Sequence, residues 1–403
     1  MQGVPSALRP AVQSLTFRAL RRGYWAHAII NAHVDKTPSH YVFNLLWVTI
    51  SLLGGRCWNP AYPNHTLVSE AVNACKHDKK LIYAKGLVNA VLRKIVGSEL
   101  LQDEFPEEQF PSYPKWWIEK LINHYGEKAN SVIGASITPP PMTLRFNQRI
   151  FKDSERFIKY QEELLSLGVG LNRISQVAGV KLGAAYQLTE PLPIESIPGF
   201  ADGYFSVQDA SAQVAACLLG NQTGKRVLDA CAAPGGKACH ILEKNTVELD
   251  ALEIDAERAK RIEENLKRLH LKARVILGDA TVCAWWDGRL YDTIVADVPC
   301  SASGIVRRHP DIPYLRMESD IAKLQLVQRR ILETLWPLLK PGGRLLYITC
   351  SVFPEEGEQQ AQWWMNKTKD AVRLEAPGQI FPTGNHDGFF YALFEKLGTS
   401  HLT

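Results

Sequence analysis

The sequence predicts a multidomain chain with an all-α N-terminal domain, a small α+β insert and a C-terminal α/β, Rossmann-like domain. Three observations carry this. At 403 residues, 46% of them hydrophobic and 22% charged, the chain is globular in composition and longer than one core organises. Beyond about residue 203, short apolar runs alternate with helical segments, the pattern of βαβ units around a mainly parallel sheet. Those runs end in polar residues, and doubly wound sheets bind ligands at their C-terminal strand ends.

Residues 5–97 read as helical. "AKGLVNAVLRKIV" places Leu87, Val88, Val91, Leu92 and Ile95 at three- and four-residue spacings, with Lys85, Asn89 and Arg93 on the other side. Residues 1–100 hold 12 Lys/Arg against 4 Asp/Glu, a net of +8 in a chain whose total is +4, so the remainder is −4. A basic module suggests a polyanion partner such as nucleic acid; a solvated basic surface explains the same count equally well. Residues 101–140, with "DEFPEEQFPSYP" and "TPPPM", read as a linker with short capped helices. Residues 141–203 combine a strand-like "MTLRFN", a helical "SERFIKYQEELLSLGV" and the turn in "SIPGF", a small α+β subdomain.

Residues 204–398 form the α/β domain. Its strand candidates are "RVLDAC", "VELDALEID", "RVILGDA", "DTIVADVP" and "RLLYITCS", with helices at 256–270 and 319–340 between them. Eight cysteines, Cys57, Cys75, Cys217, Cys231, Cys239, Cys283, Cys300 and Cys350, show neither a C-x-x-C pair nor His clustering, so no disulfide framework or metal site is expected. No stretch approaches the roughly 20 apolar residues of a membrane span. A monomer in a reducing cytoplasm, where a free thiol persists as a reagent, is the expectation.

"VLDACAAPGGK" joins a strand to a Pro-Gly-Gly turn and then a helix. Gly235 and Gly236 let the backbone approach a ligand, and the helix N-terminus points its N–H groups at it. A phosphate loop fails here, because it needs Gly at Cys231 and Ser or Thr at Ala238. Glu253 ends the second strand, 24 residues beyond Asp229, where such folds bind ribose hydroxyls. Asp279 and Asp297 close the third and fourth. Any one of these acids is more simply a helix cap or turn residue, but their recurrence at four successive strand ends favours a shared pocket. Acids there suit hydroxyls, an adenine amine and a sulfonium, and repel a pyrophosphate.

Cys300 in "DVPCSASG" and Cys350 in "YITCSVFPEEGE" follow apolar runs at the same edge. Most cytosolic cysteines are small core residues; the polar, turn-prone residues after these two argue for a pocket instead. A cytosine C5 is too weak a nucleophile to take a methyl group unaided. Thiolate addition at C6 turns the ring into an enamine whose C5 attacks an electrophilic methyl; loss of the C5 proton and of the thiolate then restores aromaticity. Asp297 is placed to hydrogen-bond the ring, and Arg307, Arg308 and His309 to raise the thiolate fraction or hold flanking phosphates, unless they form a solvated loop.

"DACAAPGGK", "EID", "GDA", "DVPCSASGIVRRHPDI" and "TCSVFPEEGE" together resemble the RNA cytosine-C5 methyltransferase family that includes the bacterial Sun/Fmu proteins. "HTLVSEAVNACK" and "AKGLVNAVLRK" are similar to that family's NusB-like RNA-binding domain, and "FSVQDASAQ" to its approach to the cofactor pocket. The resemblance implies that Cys231, Ala232, Ala233, Pro234, Gly235, Gly236, Lys237, Glu253, Asp279 and Asp297 hold S-adenosylmethionine. It implies Cys350 as nucleophile, Cys300 as helper in product release, and small-subunit (16S) ribosomal RNA as partner. Glu253 stands where Asp is commoner, Ala238 and Cys239 replace a usual Thr pair, and the family's first helix is expected to be missing before Met1. Alternatives are Cys300 as nucleophile, another RNA such as tRNA, and a non-catalytic RNA-binding factor with a relic cofactor fold.

Overall fold

Apolar residues recurring every three or four positions fold the N-terminal third into α1 (Arg9–Arg21), α2 (Gly23–His33), α3 (His40–Leu52), α4 (Asn64–His77), α5 (Lys85–Val96), α6 (Lys115–Tyr125) and α7 (Lys128–Ile137). The structure is a computed structural model that describes residues 4–54, 62–98 and 113–398. The expected 101–140 linker therefore lies partly, and Cys57 wholly, outside the described residues. Ile29, Ile30, Leu46, Ile50, Val88 and Leu92 make one core across α2, α3 and α5. In α5 Val88, Val91, Leu92 and Ile95 are buried as their spacing predicts, but Leu87 is 43% exposed. One residue step turns a helix by about 100°, which carries Leu87 off the buried stripe.

The chain divides into two compact units, Met1–Thr138 with Val306–Leu315, and Pro139–Ile305 with Arg316–Thr403. Within the first, the ring of Tyr314 stacks on Tyr24 at 4.7 Å and its hydroxyl donates to the Leu20 carbonyl at 2.8 Å. The segment 306–315 is thereby a part of the helical unit.

The second unit begins with a four-stranded antiparallel sheet of β1 (Thr143–Phe146), β2 (Leu171–Val177), β3 (Val180–Leu188) and β4 (Phe205–Val207), in the order β2-β3-β1-β4. α8 (Ser154–Ser166) contributes Tyr160 and Leu164 to a core with Phe146 and Phe205. Its last strand, β4, extends past the boundary expected at residue 203.

The larger sheet contains β5 (Arg226–Ala230), β6 (Glu248–Glu253), β7 (Arg274–Leu277), β8 (Tyr291–Asp297), β9 (Leu339–Thr349), β10 (Ala371–Ile380) and β11 (Phe389–Lys396), ordered β10-β11-β9-β8-β5-β6-β7. Strands β5 to β9 pair in parallel, as expected; β11 runs antiparallel to β9, and β10 to β11, a hairpin edge not expected from the sequence. Alternate side chains of each strand enter opposite cores. Val227 and Val295 pack with Ile241 and Ile262 of α10 (Gly236–Lys244) and α11 (Ala256–Arg268), below α9 (Ala210–Leu219). Leu228 and Ile294 pack with Leu332 and Trp364 of the helices Glu318–Leu335 and Glu358–Lys367. From β5 the chain winds outward to β6 and β7, then returns to β8 on the other flank. That reversal opens a crevice at the carboxyl ends of β5 and β8, where such sheets hold ligands.

Candidate active site

β5 is buried along its whole length and releases the chain at Cys231, whose backbone is left-handed with φ 62°. The turn passes a cis Ala233–Pro234 bond to Gly235, which caps α10 at φ 95°. A Cβ at Gly235 would come within 3.2 Å of the Ile262 side chain, so the tight approach of the turn to α11 favours glycine. The result is a helix N-terminus beside the end of β5, where the Ala238 N–H approaches Asp229.

Two braces hold this turn. Glu253, 2% exposed at the end of β6, accepts the Ala233 N–H at 3.1 Å and the N–H groups of Ile254 and Asp255, each at 3.1 Å. Arg145 of β1 reaches it from the small sheet. Its guanidinium meets both carboxylate oxygens of Glu243 at 2.9 and 2.7 Å, and its Nη1 donates to the Gly236 carbonyl at 2.9 Å and to Gln208 at 2.5 Å. Arg145 and Glu243 are each 1% exposed in their side chains. Nothing in local spacing marked Arg145 as functional, because its partners lie 63 to 98 residues away.

Asp229 is completely buried at the end of β5; no side chain among the described residues bonds to its carboxylate, and the one backbone group that reaches it, the Ala238 N–H of α10, approaches in a geometry short of a full hydrogen bond. Burial pushes its carboxyl up to about 7; the charges of Asp297 and Glu253 add to this and Lys237 opposes it. Lys237 of α10 donates to Asp297 at the end of β8, 2.5 Å away. Burial alone would lower the Lys237 ammonium, but attraction to Asp297 and Asp229 outweighs it and raises its pKa. Burial, with the charges of Asp297, Glu253 and Asp229, pushes the Cys231 thiol up to about 12, which keeps it neutral. Asp229, Cys231, Lys237, Glu253 and Asp297 thus converge on one crevice. Asp279 stands at the end of β7, where its carboxylate takes the Thr281 N–H at 2.8 Å, the turn role that is the simpler reading of an acid at a strand end.

β8 and β9 pair in parallel, with Asp297 beside Ile348, so the residues just beyond them leave the sheet together. Cys300 Sγ and Cys350 Sγ lie 3.4 Å apart. Cys300 is buried, whereas Cys350 is partly exposed. The hydrogen bond to Cys350, burial, and the Cys350 and Glu356 charges hold the Cys300 thiol well above its ordinary range.

The structure places the three residues of the basic triplet differently. Arg307 is only 1% exposed and belongs to the helical unit, where its carbonyl accepts two N–H groups of Arg21 at 3.2 and 2.7 Å. Packing has turned this guanidinium inward, so it does not present itself to a phosphate. Arg308 is half-buried and His309 exposed. Among the described residues no helix is long and apolar enough to cross a membrane, and no group of His, Cys, Asp and Glu is arranged to hold a metal ion.

A Salmonella paratyphi A protein named ribosomal RNA small subunit methyltransferase B is 41% identical over 351 residues, covering 83% of this chain and 78% of its own. The chain belongs to the 16S rRNA methyltransferase RsmB/F family. That family's model matches residues 216–395, and the ferredoxin-like domain model of the same group matches 113–188. The protein of the same name from Vibrio cholerae is 39% identical over 345 residues, covering 83% of this chain and 77% of its own. Among solved structures, a methyltransferase homolog protein from Pyrococcus horikoshii superposes with a TM-score of 0.61 at 27% identity, over 71% of this chain and 96% of that one. NSun6 from the same organism, solved with SFG, shares the fold at a TM-score of 0.60 and 22% identity, over 71% of this chain and 98% of that one. Membership of RsmB/F accords with the methyltransferase α/β sheet of the second unit, and the structure adds a helical N-terminal unit.

Proposed function

We propose that this RsmB/F protein methylates C5 of a cytosine in small-subunit ribosomal RNA, with S-adenosylmethionine as donor and Cys350 as covalent nucleophile. The observation that carries the reading is the pair of sulfurs 3.4 Å apart, at the same sheet edge as an acid-lined crevice. The crevice fits the donor. The Asp229 carboxylate, which no side chain among the described residues satisfies, and the N-terminal N–H groups of α10 suit an amino-acid moiety, and Glu253 and Asp279 close the strands that face a nucleoside. When bound, S-adenosylmethionine supplies a methyl group activated by its sulfonium. Among the residues that converge there, acids outnumber the one cation, Lys237, which is itself paired with Asp297, and that balance matches a sulfonium.

Cys350 is the more accessible sulfur, so it adds to C6 of a cytosine splayed from its stack. Addition breaks the C5–C6 double bond and leaves C5 electron-rich. Asp297, held by Lys237, accepts a hydrogen bond from the exocyclic amine of the ring and orients it, and the Lys237 ammonium beside it offsets the negative charge that develops on the ring during addition. After C5 is alkylated, its proton leaves to a base and the Cys350–C6 bond breaks to restore the aromatic ring. Cys300, kept as a neutral thiol beside Cys350, donates a hydrogen bond that stabilises the departing thiolate while keeping its own proton. The basic helical unit serves as an RNA-binding module of the NusB-like kind.

Labelled methyl transfer to unmodified small-subunit rRNA, followed by mapping of the modified base, tests the substrate. Cys350→Ala abolishes both turnover and the covalent protein–RNA adduct, and Cys300→Ala accumulates the adduct. The reverse pattern makes Cys300 the nucleophile. Absence of S-adenosylmethionine binding by calorimetry instead favours a non-catalytic RNA-binding factor.

A further inference from the structure

Glu356 is completely buried although it carries a carboxyl group. Taking a carboxylate out of water costs several kcal/mol unless its lone pairs are filled, so its partners indicate what the site gains from it. One oxygen accepts the Ser301 N–H at 2.8 Å and Gln328 Nε2 at 3.1 Å; the other accepts the Ser301 hydroxyl at 2.5 Å. Ser301 immediately follows Cys300. Its hydroxyl also lies 3.0 Å from that of Ser303 and 3.2 Å from that of Ser351, the residue after Cys350. Ser303 and Ser351 hydroxyls meet at 2.9 Å, and they accept the N–H groups of Val352 at 2.9 Å and Phe353 at 3.0 Å. The Gly304 N–H closes the ring on the Cys350 carbonyl at 2.9 Å. A single carboxylate therefore anchors a buried network that ties the turn after one cysteine to the turn after the other.

We propose that Glu356 is a positioning residue for the two-cysteine site: it holds the Cys300 and Cys350 turns together and so fixes their sulfurs at contact distance. The proposal rests on the reading of these cysteines as the reacting pair. The three donors that converge on Glu356 require acceptors at two points. Glutamine keeps one oxygen for Ser301 N–H and Gln328, and its amide can donate to the Ser301 oxygen, which then donates onward to Ser303. Leucine fills the same space and leaves the Ser301 N–H and Gln328 without a partner.

The test reads the sulfur geometry directly. Phenylarsine oxide condenses with two thiols at contact distance and releases water, so intact-mass measurement on the full chain reports whether the pair is in place. Cys300→Ser and Cys350→Ser identify the signal by abolishing it. Glu356→Leu is expected to lower arsenical capture and kcat by about tenfold or more each, while RNA KM and S-adenosylmethionine affinity stay within about threefold. Glu356→Gln is expected to restore both to within about threefold of the parent. Wild-type capture by a folded Glu356→Leu protein overturns the proposal. If Glu356→Leu fails to fold, Ser351→Ala removes one bridge of the same network; weakened capture supports the proposal and unchanged capture overturns it. Capture needs neither RNA nor cofactor, so a protein that captures normally yet forms no RNA adduct sinks only the covalent reading.

Discussion

Lys237 on α10 and Asp297 at the end of β8 are joined by a 2.5 Å hydrogen-bonded ion pair across the crevice. The pair links the cofactor turn to the strand that leads to Cys300, so each partner sets the charge and orientation of the other. Lys237→Met and Asp297→Asn are each expected to lower single-turnover methyl transfer roughly 100-fold, the scale of a lost preorganised charge. The double variant should lose far less than the product of the two, because residues acting as a unit are non-additive. Multiplicative losses would show that the pair is not coupled.

Asp229 gives the protein a specific pH dependence. Its ordinary value of 3.8 rises to about 7 on folding, so the folded state binds the proton more tightly than the unfolded one. The associated stability is complete below 3.8 and is lost as pH rises through about 7. Asp229→Asn removes that loss. Without cofactor, the variant's stability relative to the parent should rise with pH by up to about 1.4 kcal/mol per unit between pH 4 and 7. Chemical denaturation across that range checks it, and parallel curves would refute it.

The Arg145–Glu243 pair is a stability element as well as a brace. Arg145→Met strands a buried carboxylate and should cost about 3–5 kcal/mol, whereas Arg145→Met with Glu243→Leu should recover most of it. Urea denaturation reads both. A single variant within about 1 kcal/mol of the parent would mean that water reaches Glu243.

Gly304 lies where the Cys300 turn crosses Gly388. A Cβ on Gly304 would stand 2.3 Å from the Gly388 carbonyl oxygen, and backbone cannot swing aside as a long side chain can. Gly304→Ala should therefore displace the turn and lower kcat by about tenfold or more. Unchanged kcat would show that the turn tolerates the shift.

The helical unit exposes Lys79 and Lys80, and Lys80 hydrogen-bonds the Tyr41 hydroxyl at 2.5 Å. Replacing both lysines with alanine should weaken rRNA binding and reduce its salt slope by up to about 2, one for each phosphate no longer neutralised. An unchanged slope would remove this surface from the RNA interface.

The parallel strands and the polar residues at their ends were legible because each run carries its own punctuation: "RVLDAC" stops at a turn and "RLLYITCS" at a thiol. The β10–β11 hairpin escaped notice. β10 mixes charged and apolar residues with a bulge between Leu374 and Gly378, which blurs a period of two. Glu253 was expected to meet a ribose, yet its oxygens also hold the Ala233, Ile254 and Asp255 amides, an arrangement set by how β6 meets the turn after β5. Arg307 shows the limit most plainly. "VRRHP" reads as a charged loop, and only tertiary packing reveals that one of its cations is buried while His309 is exposed.

Because β8 and β9 are hydrogen-bonded neighbours running the same way, two thiols 50 positions apart are delivered to the same end of the sheet. Register brings the two sulfurs to one place, but Ser301, Ser303, Gly304 and Gln328 lie within that 50-residue interval, so insertions are tolerated only away from those anchor points.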